Sequence, residues 1–165
     1  MRMTETPQIP AMFKIHPELG HRLPRIALGN FPTPVRPIDH LGIAGLWVKR
    51  DDLSSNVYGG NKVRKLEFAL AQVKQQRKTH VMTLGGIGTN HGLATAIYCR
   101  RLALACTLIL FPQPVTSVVK QNLRLFCYHG ARLVYRPSLM GAVFTFYLTQ
   151  RLRHPHAYFL PAGGS

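Results

Sequence analysis

Acidic residues are scarce in this chain of 165 residues: six Asp and Glu stand against 21 Lys and Arg, and none follows Glu67. So few carboxylates offer no paired-carboxylate acid–base site. Cysteine is also sparse. Cys99, Cys106 and Cys127 show no CxxC spacing, which excludes a disulfide scaffold and fits a reduced, cytoplasmic compartment with all three as core residues. No apolar run approaches the roughly 20 residues a membrane span requires. The longest, Leu102 to Phe111, is interrupted by Thr107 and reads as a buried strand. Met1 to Pro10 lacks the apolar segment of a secretory signal. A nucleophile elbow and a Ser/His/Asp arrangement are missing too, and His154-Pro155-His156 has no third ligand nearby, so it reads as a surface loop and not a metal site.

The formal charge of +15 raises one alternative, a basic nucleic-acid-binding module. Its detail is thin: the basic residues fall as singles and pairs (Arg77-Lys78, Arg100-Arg101, Arg151 and Arg153), with no aromatic recognition strand and no zinc finger. Acids carried by another segment or subunit would balance the charge equally well.

A hydrophobic content of 46% supports a real core. The chain to about Tyr58 is rich in loop signals, with Pro24, Pro32, Pro34 and Pro37 ahead of one strand, Leu46 to Arg50. It reads as an arm laid over something larger. Beyond it, helices (62–76, 90–102, 117–128, 139–152) alternate with short apolar strands (80–84, 105–111, 132–136, 158–160), the pattern of an α/β fold with a parallel sheet covered by helices on both faces. Ligands of such sheets collect where strands end and helices begin.

Two glycine loops sit at such places. Gly59-Gly60-Asn61-Lys62-Val63-Arg64-Lys65-Leu66-Glu67 puts Lys62 in the first turn of a helix with an apolar stripe at Val63, Leu66, Leu70 and Val73 and a capping Asn61. The positive end of a helix dipole disfavours an ammonium and favours an anion brought there, and Arg64 and Lys65 add like charge, the conditions under which a lysine becomes a nucleophile. An ordinary solvated basic turn is the plainer alternative. The second loop, Gly85-Gly86-Ile87-Gly88-Thr89-Asn90-His91-Gly92, follows a strand and opens a helix, the layout of an anion cradle. It is neither a dinucleotide fingerprint, since His91 stands where a third glycine belongs, nor a P-loop. A glycine-rich strand exit without a ligand is again the plainer reading.

Taken in order, Leu28-Gly29-Asn30-Phe31-Pro32-Thr33-Pro34, Lys49-Arg50-Asp51-Asp52-Leu53, the two glycine loops and Pro161-Ala162-Gly163-Gly164-Ser165 resemble the family of 1-aminocyclopropane-1-carboxylate (ACC) deaminase and D-cysteine desulfhydrase, pyridoxal-phosphate enzymes of the tryptophan synthase β-like fold. The resemblance runs from about Leu28 to the last residue. It implies that Lys62 carries pyridoxal 5'-phosphate and shuttles the substrate's α-proton, that Lys65 helps hold the phosphate, and that Asn61 begins the helix beneath the ring. It further implies that Asn90 hydrogen-bonds the cofactor's 3'-oxygen while Thr89, Asn90 and His91 grip the carboxylate of a small amino acid. The products would be a 2-oxo acid and ammonia, with hydrogen sulfide from D-cysteine. Gly88, Thr89 and Gly92 depart from the residues usual in the family. Family members run to roughly twice this length, so the expected organisation is an arm at 1–60 belonging to a larger domain, a smaller α/β domain at 61–160 and a crossover at 161–165. The chain is then expected to be a truncated form of an enzyme that is a homo-oligomer, a dimer, when full length. A catalytically silent fragment is the alternative.

Overall fold

The structure, a computed structural model, describes residues 9–38 and 41–164. Met1 to Gln8 and Ser165, parts of the expected arm and crossover, lie outside the described residues. The segment expected to be an arm carries two short helices, α1 (Ala11–Ile15) and α2 (Leu19–Arg22), and an antiparallel pair, β1 (Val35–Pro37) and β2 (Trp47–Lys49), in register Val35 opposite Lys49. Of these only β2 is visible as a sequence pattern. Proline-dense β1 belongs to a two-stranded edge, where a residue without an N–H is tolerated.

From residue 61 the alternation holds: α3 (Asn61–Gln75), β3 (His80–Gly86), α4 (Asn90–Arg101), β4 (Ala105–Phe111), α5 (Ser117–Tyr128), β5 (Arg132–Tyr135), α6 (Leu139–Phe144), α7 (Gln150–Arg153) and β6 (Tyr158–Leu160). The expected single helix over 139–152 is interrupted by a π-helical turn at Thr145–Thr149, where the buried Thr145 hydroxyl accepts from Arg136 Nε at 2.8 Å. The four strands pair in parallel in the order β5-β4-β3-β6.

Side chains alternate across this sheet as its period of two requires. Val81, Cys106, Leu108 and Leu110 face one way into a core with Val63, Leu66 and Leu70 of α3, Leu93 and Ile97 of α4 and Phe126 of α5. Met82, Leu84 and Ile109 face the other way, onto Ala142 and Phe146. Helices therefore cover both faces. Cys99 and Cys106 lie in the core, but Cys127 is exposed, on the solvent side of α5, which corrects the expectation of three core thiols. Among the described residues no helix is long and apolar enough to cross a membrane.

The chain steps outward from β3 to β4 to β5, then returns to lay β6 on the opposite side of β3. That reversal makes the carboxyl ends of β3 and β6 the switch point of the sheet, the place where ligands bind in open α/β sheets. Both the glycine loop after β3 and the turn 162–164 after β6 are there.

Candidate active site

Helix α3 starts at Asn61, but its N-cap is Gly60, not Asn61. Gly60 has φ +110°, a conformation that L side chains rarely adopt, and no side chain caps the helix. Exposed Asn61 is simply the first helical residue. The glycine before it has a different reason: a Cβ on Gly59 would collide with the carbonyl of Asp52. These two positions pin the start of the helix, and with it Lys62, against the arm.

Lys62 and Lys65 lie one turn apart on the same face, and both ammonium groups approach a single acceptor, the carbonyl oxygen of Gly163, at 3.5 and 3.4 Å. Among the described residues no carboxylate answers them. The four acids among the described residues are engaged elsewhere: Glu18 with His16, Asp51 with Arg64, Asp52 with Arg50 and Glu67 with Arg25. Arg64, expected to add like charge beside Lys62, is instead bound to Asp51 at 2.6 and 3.0 Å and stacked over Phe31 at 4.3 Å. Its guanidinium holds the Asp51 carboxyl below the usual carboxylate range. Uncompensated charge is thus left on Lys62 and Lys65.

β3 runs two residues beyond the expected Leu84, through Gly85 and Gly86, whose missing Cβ atoms leave room for the side chains of Thr89 and Gln113. Thr89 is the N-cap of α4, its Oγ1 accepting from Gly92 N at 3.2 Å. Asn90 is exposed at the first helical position, and Tyr58 OH of the arm donates to its backbone carbonyl at 3.5 Å. His91 turns inward. It is 4% exposed, its Nε2 is 3.2 Å from Thr83 Oγ1, and its Nδ1 has no partner among the described residues. Sequence reasoning missed two residues that shape this loop, Tyr58 and Asn122. The signal for Asn122 was a polar residue on the buried face of α5, between Val119 and Phe126.

Burial, followed by the nearby charges of Lys62 and Lys65, lowers the His91 pKa from 6.5 to about 4. The folded value lies below the unfolded one, so the unfolded chain takes up the proton first. The His91 contribution is at its plateau above pH 6.5 and is lost as pH falls toward 4, by about 3 kcal/mol at the acid end. Unfolding free energies measured between pH 7.5 and 4.5 should therefore fall more steeply for the wild type than for His91→Gln; parallel profiles would contradict this placement.

An amine at a helix start, a second ammonium one turn on, two converging helix N-termini and an orphaned buried nitrogen together suit an anionic, carbonyl-bearing ligand such as pyridoxal phosphate. Residues 26–165 match the family model for pyridoxal-phosphate dependent enzymes, and the chain belongs to that family. Among its relatives, nocardicin C-9' epimerase of Nocardia uniformis subsp. tsuyamanensis is 43% identical over 111 residues, covering 67% of this chain and 34% of that protein. The D-cysteine desulfhydrase of Klebsiella pneumoniae is 40% identical over 93 residues, 54% of this chain and 28% of that protein. A crystal structure of an ACC deaminase homologue superposes with a TM-score of 0.76 at 25% identity, covering 95% of this chain and 49% of that one. The chain thus spans about a third of the length of the curated relatives it matches.

Proposed function

We propose that the whole protein is a lyase or deaminase acting on a small amino acid and releasing a 2-oxo acid and ammonia, with hydrogen sulfide when the substrate is D-cysteine. When bound, pyridoxal phosphate supplies an aldehyde for amines and a ring that draws negative charge away from the substrate's α-carbon. Lys62 Nζ is the amine that holds the aldehyde and moves the α-proton. Lys65 attracts the phosphate, and Asn61 starts the helix that carries both lysines. Asn90 donates to the ring oxygen; Thr89, Asn90 and His91 receive the substrate carboxylate. The division into an arm at 1–60, a smaller domain at 61–160 and a crossover at 161–165 belongs to the same reading, as do a cytoplasmic setting, which the reduced buried pair Cys99 and Cys106 suits, and a dimeric state, which rests on the family resemblance alone.

The observation that carries the proposal is the pair of ammonium groups, Lys62 and Lys65, converging on one carbonyl with no carboxylate partner among the described residues. It favours a small anionic ligand over a nucleic-acid duplex, whose phosphates call for an extended basic face. Titrating the chain with pyridoxal phosphate should produce a saturable visible absorption band. Pyridoxal, lacking the phosphate, should bind at least about tenfold more weakly, and Lys65→Ala should raise the Kd for pyridoxal phosphate about tenfold while leaving that for pyridoxal unchanged. Equal binding of the two aldehydes would remove the phosphate role.

A further inference from the structure

Asn122 is a buried amide that the proposed roles leave unused. It is 4% exposed on α5, and its Nδ2 donates to the carbonyl oxygen of Gly88 at 2.8 Å and to Asn90 Oδ1 at 3.1 Å. The identity of each atom follows from the chemistry. A peptide carbonyl can only accept, so the Asn122 atom facing Gly88 is its NH2 nitrogen. The second hydrogen of that nitrogen meets Asn90, so the Asn90 atom it meets is the carbonyl oxygen. Polarity is thereby dictated from the Gly88 peptide outward, and the Asn90 NH2, which has no partner among the described residues, is left facing away from Asn122.

We propose that Asn122 is a positioning residue for the site. It locks the Asn90 side chain with its oxygen inward, so that the loop after β3 offers a donor, and not a second acceptor, to a ligand oxyanion. This rests on the reading of Asn90 as a cofactor contact. An unrestrained amide turns either way, and its carbonyl dipole would repel the anion that Lys62 and Lys65 attract. Unlike the lysine ammonium groups and the backbone N–H groups at the start of α4, the Asn90 amide presents a sign that depends on its orientation.

The test is a cycle of wild type, Asn90→Ala, Asn122→Ala and the double variant, with Asn122→Asp as a near-isosteric check that keeps the volume and exchanges the donor for an acceptor. Melting temperatures are measured without cofactor, and the Kd for pyridoxal phosphate from the Lys62-dependent band. Asn122→Ala should weaken binding about tenfold in the wild type and less than about twofold in the Asn90→Ala background. Asn122→Asp should weaken it at least as much. Without cofactor, the two single losses in melting temperature should sum to more than the loss in the double variant. A merely structural role for Asn122 would lower melting temperature and leave the Kd unchanged, or weaken binding equally in both backgrounds; either result overturns the proposal, as do strictly additive melting losses. If the wild type forms no band that depends on Lys62, the cofactor reading fails, while the melting cycle still decides the link between Asn122 and Asn90.

Discussion

Lys62→Ala should abolish the visible band given by pyridoxal phosphate, and turnover in any form of the protein that has it, with no residual signal at saturating cofactor. Lys62 is the amine at the second position of α3, within 3.5 Å of the turn that follows β6, and Lys65, whose Nζ reaches the same carbonyl, is assigned to the phosphate in the proposed reading. Lys65 lies a full turn farther along the helix. Lys62→Arg should be equally silent, because a guanidinium stays protonated and cannot condense with an aldehyde. Absorption spectra of the three proteins, with borohydride reduction and mapping of the modified residue, settle the matter. A band of undiminished intensity in Lys62→Ala would mean that surface lysines react unselectively and that the site lies elsewhere.

The second large effect concerns stability. Glu67, 3% exposed, accepts from Arg25 Nε at 2.7 Å and Nη2 at 3.2 Å, and from the backbone N–H groups of Leu28 and Gly29 at 2.9 and 3.2 Å. Removing that carboxylate takes away the two contacts Arg25 makes with it and leaves the Leu28 and Gly29 peptide N–H groups without this acceptor in a poorly hydrated seam. Glu67→Ala should cost about 3–5 kcal/mol, seen as a lower urea midpoint. Asp52→Asn is the control: the Arg50–Asp52 pair is on the surface, with side chains 33% and 58% exposed, and its loss should leave the urea midpoint nearly unchanged. A Glu67→Ala loss no larger than that of the control would show that the arm is not anchored through this carboxylate.

The parts of the fold that could be read in advance are those whose burial imposes a period. The stripe Val63, Leu66, Leu70 and Val73 is fully buried, and α5 and β4 begin and end where their patterns do. Short elements escaped because distant partners hold them: α1 and α2 have no buried residue, and β1 exists by pairing with β2. Gly85 and Gly86 looked like a turn but are strand residues kept bare for Thr89 and Gln113. In the site, Lys62, Lys65, Thr89, Asn90 and His91 stood out because their loops are local in sequence. The neutralisation of Arg64 by Asp51, the inward turn of His91 and the clamp from Asn122 depend on contacts across the fold, which no local pattern encodes.

The opening turns of α3 are gripped from both flanks. One side meets the backbone after β6 through Lys62 and Lys65; the other holds the arm through Arg64 and Glu67. A helix is stiff over so short a distance, so the two grips are mechanically one joint. The position of Lys62 Nζ is then set partly by Arg25, Thr33 and Asp51, none of which touches it, and slack introduced at those upstream residues is felt as a misplaced amine before the sheet itself gives way.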